Sequence, residues 1–171
     1  MLVSGTKIFK NLKEEPGLWD TCFKEFQFSV YALEKEDRAR DIWWHRADAN
    51  FRKIYFQTHS FPKTIGRYLE ILGFDKFPED VEDVLMKAEY VSLTEDKFVT
   101  RLSDLCMGNV NAMKGCWLER CVEMETILSG AEMEKNRMIL WASNLPELKS
   151  VFGEGMQSGS LADLKIGRAH V

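Results

Sequence analysis

Between residues 38 and 67 the chain carries Arg38, Arg40, Arg46, Arg52, Lys53, Lys63 and Arg67 against Asp41 and Asp48, a local charge of plus five. The whole chain of 171 residues has a formal net charge of minus four. Trp43, Trp44, Phe51, Tyr55, Phe56 and Phe61 are interleaved with these cations. Basic side chains neutralise phosphates and aromatic rings stack on bases, so Arg38, Arg46, Arg52, Lys53 and Lys63 are the candidate nucleic-acid-binding residues. That chemistry needs uncovered rings, and several of these aromatics fall on an apolar stripe that a core would cover. Residues 75–96 hold eight acids against Lys76 and Lys87, net minus six, and offer the cations partners within the fold. An acidic overall balance also weighs against a dedicated nucleic-acid binder.

A second pattern lies inside the same stretch. A histidine moves protons near neutral pH, and an arginine steadies charge developing on a phosphate. Arg40-Asp41-Ile42-Trp43-Trp44-His45 resembles the motif of HEPN-type ribonucleases, an Arg, a polar residue, three more residues and a His on a helix. The resemblance covers these six residues. It implies an all-α domain in which Arg40 and His45, usually paired with the same residues of a second domain, cleave RNA. Arg52 and His59 fit the looser form of that spacing.

Other chemistries find no footing. Cys22, Cys106, Cys116 and Cys121 lack the Cys-x-x-Cys pairing of zinc sites, and no histidine lies close to the last three in sequence. Glu79, Asp80, Glu82 and Asp83 suit the first turns of a helix and do not match a calcium loop. There is no Glu-x-x-His pair, no Gly-rich phosphate loop and no Gly-x-Ser-x-Gly elbow. No metal, no cofactor and no enzymatic activity is therefore the expectation, with Arg40 and His45 the only weak catalytic candidates.

The elements that would position these residues follow from apolar spacing. Trp19, Phe23, Phe26, Val30, Leu33, Asp37, Arg40, Trp44, Ala47, Phe51 and Ile54 recur at steps of four and three, and nine of the eleven are apolar. That spacing predicts a long N-terminal helix over about 18–47, broken near Asp48-Ala49-Asn50 and continuing towards His59. Further helices are expected from Ser60-Phe61-Pro62 to a left-handed Gly73, and from Phe77-Pro78 through Ala88. Others are expected after the capping box Ser92-Leu93-Thr94-Glu95, along Val110 to Leu128, and over Ala131 to Ser143. No run alternates like a strand, and no internal repeat of solenoid or propeller length stands out. The expected fold class is all-α, an irregular bundle of six or seven helices built around the long N-terminal one.

With 45% hydrophobic and 29% charged residues the composition is globular rather than disordered. The expected layout is one helical domain over 1–152, a Gly/Ser-rich linker or frayed end over 153–165, and a foreign tail over 166–171. The tail, IGRAHV, matches the translation of a common short-read sequencing adapter, and Lys165 fits the codon that must precede it. The expectation is thus a transcript-derived or metagenomic fragment of a longer chain. No apolar run spans a membrane and no signal peptide is visible, so an intracellular, cytoplasmic setting without membrane contact is expected. The function expected from these readings is a non-catalytic helical module that binds an unknown protein partner. Nucleic-acid binding, with or without RNA cleavage, is the alternative.

Overall fold

The computed structural model describes residues 2–4, 9–11, 14, 15, 17, 24–32, 41–59, 65–105, 112–128, 138–153 and 163–166, with backbone alone for 2–4, 41–49, 103, 104 and 163–166. In chain order the elements are β1 (Leu2–Ser4), β2 (Phe26–Tyr31), α1 (Asp41–His59), β3 (Arg67–Leu72), a 3-10 turn (Glu79–Val81), α2 (Glu82–Lys87), β4 (Tyr90–Thr94), α3 (Leu102–Leu105), β5 (Gly115–Glu119), β6 (Thr126–Leu128), β7 (Ile139–Ser143), β8 (Ser150–Phe152) and β9 (Asp163–Ile166).

Among the described residues, seven strands form one sheet in the order β1-β2-β3-β4-β5-β7-β9. Every neighbouring pair is parallel. Parallel neighbours cannot be joined by a tight hairpin, so the chain leaves the sheet after each strand and returns alongside it. Tyr68, Tyr90, Gly115, Ile139 and Asp163 stand opposite one another in register, so from β3 onwards a strand recurs at a nearly constant interval. On the return path β6 and β8 form a second parallel pair, and Arg101 bridges Thr126. The result is a solenoid with one strand of the large sheet per coil, each strand paired with those of the adjacent coils.

Alternate residues of each strand face the inside of the coil. Phe28, Leu69, Val91, Cys116 and Leu140 make one buried row, and Val30, Ile71, Leu93, Leu118 and Ala142 make the next. Val81, Val84 and Leu85, from the 3-10 turn and α2, close this core from the return side. Phe9 adds its ring edge-on to Phe28 at 5.3 Å.

The strand exits share one conformation. Gly73, Glu95, Arg120 and Asn144 occupy equivalent positions and all have positive φ, between 52° and 72°. The N–H groups of Gly73, Glu95 and Arg120 donate to the carbonyls of Thr94, Glu119 and Ser143 on the next coil. Glycine takes this conformation without steric cost at residue 73, whereas Glu95 and Arg120 bear about 1 kcal/mol each. An ion pair of 3.1 Å between these two side chains offsets part of it.

This sheet overturns the all-α bundle. Phe26–Tyr31 is a strand, so no helix runs over 18–47, and α1 passes through Asp48-Ala49-Asn50 without a break. The helices expected from Ser60-Phe61-Pro62 to Gly73, along Val110 to Leu128 and over Ala131 to Ser143 contain β3, β5, β6 and β7 instead. The capping box is the end of β4. A structural repeat of one strand per coil is present where none was expected. The physical reason is burial on both sides: β4 is buried at every position and β3 at all but its first. A strand covered on both faces loses the apolar-polar alternation that identifies strands and reads as a short apolar run. Where the coil does turn helical, the expectation holds: the segment opened by Phe77-Pro78 is helical from Glu79 to Lys87, and Leu102–Leu105 is a helical turn. Trp19, Phe23, Leu33, Arg40 and Phe61 lie outside the described residues.

Consecutive coils are also tied through one inward polar position. Asp96 Oδ1 accepts the N–H of Phe74 on the preceding coil at 2.8 Å. The equivalent residue one coil later, Cys121, donates its thiol to the carbonyl of Leu93 at 3.5 Å. Burial pushes the Cys121 thiol up to about 12 and holds the Asp96 carboxyl well above the usual carboxylate range. A raised native value means that, above the ordinary carboxylate pKa, the folded chain holds a proton the unfolded chain has lost. Stability contributed at Asp96 is therefore greatest at low pH and falls as pH rises through the native value. Asp96→Asn keeps the acceptor and cannot ionise. In urea denaturation the variant should lose less stability than the parent between pH 5 and pH 9; equal losses would contradict a strained carboxylate.

Candidate functional site

The outer face of the sheet is the alternate set of positions: Tyr68, Glu70 and Leu72 on β3; Tyr90, Ser92 and Thr94 on β4; Gly115, Trp117 and Glu119 on β5; Ile139, Trp141 and Ser143 on β7. Across it lies α1. The segment that carries α1 is an insertion in the solenoid: Phe26 of β2 stands opposite Arg67 of β3, whereas the next coil runs only from Tyr68 to Tyr90.

Arg52 fixes the helix to the face. It is 1% exposed, and its Nη2 lies 3.1 Å from Glu70 Oε1 on β3. The same guanidinium donates to Ser92 Oγ and Thr94 Oγ1 on β4, each at 3.3 Å. One planar side chain thus spans two strands, as the fixed fork of donors on arginine allows. Glu70, the countercharge, is 4% exposed. An apolar wall surrounds the polar centre. Phe56, one helical turn after Arg52, is fully buried with Ile65, Tyr68, Tyr90, Trp117 and Ile139.

Gly115 makes that seat possible. A Cβ there would stand 2.7 Å from ring carbons of Phe56 and of Tyr90. Beyond the helix axis, Trp117 and Trp141 stack at 4.6 Å with planes 11° apart, and Tyr55 sets its ring edge-on to both. The indole N–H of Trp117 donates to Glu119 at 3.0 Å, so the row continues as half-buried Glu119, Trp141 and Ser143. Tyr68 is sealed beneath the helix, where burial holds its phenol well above the ordinary range.

The candidate residues read from the sequence divide sharply. Arg52 is consumed by the fold, and its guanidinium is closed to any phosphate. Lys53 is half-buried with its ammonium 5.2 Å from the centre of the Tyr68 ring, and burial lowers its pKa against the pull of Glu70. Arg67 pairs with Glu89 at 3.4 Å, which joins the basic segment to the acidic one as their charges suggested. Arg38, Arg40 and Lys63 lie outside the described residues. His45 and Arg46 are on α1, with side chains outside them. His59 closes α1 beside Tyr55, exposed and stacked at 4.2 Å. Of the residues that the apolar stripe turned inward, Phe51 and Ile54 are 58% and 56% exposed. The buried face of α1 runs through Arg52 and Phe56, about 140° around the helix from the expected one at roughly 100° per residue.

Missed in the sequence were Glu70, Ser92, Thr94, Trp117 and Trp141. The available signal was their spacing, since Ser92, Trp117 and Trp141 recur at an almost even interval on one register row. Cys116 and Cys121 are buried and not joined in a disulfide, and no group of three metal-ligating side chains occurs among the described residues. No described helix is long and apolar enough to cross a membrane.

No protein-family model matches the chain, and no solved structure matches it significantly. A stretch of 94 residues is 36% identical to an Arabidopsis thaliana protein named "Putative disease resistance protein". The match covers 49% of this chain and 8% of that protein, so the chain spans a small part of the relative's length.

The buried pair sets up a test of the seat. Glu70→Leu alone leaves the Arg52 guanidinium without its countercharge and should cost about 3–5 kcal/mol, whereas Arg52→Met with Glu70→Leu should recover most of it. A double-mutant cycle by chemical denaturation measures this. Additive losses would contradict the pairing.

Proposed function

We propose that this chain is a non-catalytic protein-recognition segment, part of a solenoid of the leucine-rich-repeat type. The spacing supports the architecture. Ala88, Val91, Leu93 and Asp96 fall at steps of three, two and three, and Met113, Cys116, Leu118 and Cys121 repeat those steps one coil later, all buried. The leucine-rich pattern places apolar residues at such steps and ends them on an inward Asn or Cys. Asp96 and Cys121 stand in that last position and bind the preceding coil through its backbone.

The observation that carries the function is the outer face of the sheet. Each coil contributes one strand in register, so side chains far apart in sequence form a continuous ordered surface, the device by which solenoids bind extended partners. Among the described residues its accessible portion is Trp141 with Glu119 and Ser143, an aromatic ring beside a carboxylate and a hydroxyl. Half-buried aromatics beside polar groups are the anchors of protein interfaces. The name of the Arabidopsis relative points to a role for the whole protein in disease resistance, with this segment as part of its recognition surface. Arg52 and Lys53, the two nucleic-acid candidates whose side chains are described, are engaged by Glu70 and Tyr68, which favours a protein partner over a nucleic acid.

Trp141→Glu and Glu119→Lys alter the proposed face, and Lys149→Glu alters the return side. In proximity labelling after nuclease treatment, proteins recovered with the parent and with Lys149→Glu should be lost with both face variants. Recovery indifferent to the face variants, or abolished by nuclease alone, would overturn the reading.

A further inference from the structure

The polar centre under α1 is more specific than the packing of a helix on a sheet requires. Covering the face needs apolar contact, which Phe56 supplies against Tyr68, Tyr90, Trp117 and Ile139. The face nevertheless keeps a buried carboxylate, Glu70, and two buried hydroxyls, Ser92 and Thr94, aimed at one guanidinium. A buried ion pair is weak evidence for stability, because desolvation cancels much of its attraction, but it discriminates strongly among partners that can and cannot satisfy it. Gly115 adds a shape requirement beside the charge requirement, since only a missing side chain admits the Phe56 ring.

We propose that this face is a receptor for a helical segment bearing an arginine and, four residues later, an aromatic ring, and that α1 is a resident copy of that ligand which a partner helix displaces. Arginine and ring on successive turns lie on one side of a helix, as Arg52 and Phe56 do. The partner is thus a protein whose helix is basic at its centre, complementary to Glu70 and Glu119. The inference rests on the protein-recognition reading of the face and adds the chemistry of what it takes.

Two further features fit displacement. The coil that carries α1 is far longer than the later ones, so α1 sits on an insertion and the inner rows of the solenoid do not pass through it. Ile54 on its outer side is 56% exposed, and Phe51 on its flank, edge-on to Trp117 at 6.0 Å, is 58% exposed. A tethered helix competes at an effective concentration in the mM range, so the partner's apparent affinity is lowered by the fraction of time α1 is seated.

The probe is a fluorescent peptide of residues 41–59, titrated by anisotropy against the full chain. The variant Arg52→Ser with Phe56→Ser empties the seat and leaves the face intact. It should bind the peptide at least 10-fold more tightly than the parent, and a peptide carrying Arg52→Ala should lose at least 10-fold. Equal binding of both peptides would overturn the proposal. A second measurement needs no substitution: in the parent, amide hydrogens of α1 should exchange at least 100-fold faster than those of β4 and β5. Exchange of α1 only through global unfolding would overturn displacement, while loss of partners by Trp141→Glu would still uphold the recognition reading. A concentration-dependent dimer of the parent that the double variant abolishes would assign the face to a second copy's α1, and would likewise overturn a separate partner.

Discussion

The apolar rows inside this parallel sheet must be kept from water, and the outer faces of β3, β4 and β5 are covered as well, both by segments of the same polypeptide. The inside is closed by the coil itself, with rows such as Phe28, Leu69, Val91, Cys116 and Leu140 stacked strand on strand. The outside of β3, β4 and β5 is closed by α1, whose Arg52 and Phe56 are buried against it. Everything distinctive about the molecule follows from this second closure: a buried arginine, a carboxylate hidden on a strand, and a glycine where the neighbouring coils carry Tyr90 and Ile139.

The two closures differ in kind. Inside, apolar rows and backbone ties hold the coils, and each coil needs only its neighbours. Glu89 illustrates how little exposed charge is asked to do there. Burial raises its pKa, but Lys114 at 2.6 Å and Arg67 at 3.4 Å outweigh burial and hold it below the ordinary value. Such partly exposed pairs contribute modestly. Outside, a single polar cluster spans two strands and selects which helix fits. Stability thus resides mainly in the repeated rows, and specificity in the one interrupted coil.

Much of the local chemistry was legible in the sequence. The positive φ expected at Gly73 is present at 72°, although it ends a strand rather than a helix. The Pro78 start is real. What the sequence hid was the element type, because Tyr68-Leu69-Glu70-Ile71-Leu72 and Tyr90 to Thr94 are buried on both sides and carry no alternation. Helical spacing then fitted the same residues: 65, 68, 69 and 72 satisfy a helix face as easily as a strand. The repeat was hidden for a different reason. Its equivalent residues change identity, from Leu69 to Val91 to Cys116, and the long coil holding α1 breaks the period early. Arg52 was legible as a cation with a task, but not that its partner is a carboxylate within the fold. Glu70 belongs to the next element of the chain, and only the register of β3 and β4 brings it beside Ser92.

Fold and recognition face both depend on α1 being seated across β3, β4 and β5 with Arg52 and Phe56 inward. The most direct measurement is the nuclear Overhauser contact between the Phe56 ring and the Gly115 Hα protons, read with that between the Arg52 Nε proton and Ser92. Strong cross-peaks at both are predicted, since Phe56 leaves no room for a Cβ at Gly115 and Arg52 Nε lies 3.3 Å from Ser92 Oγ. Their absence in the folded chain, with a freely rotating and solvent-exposed Phe56, would contradict it.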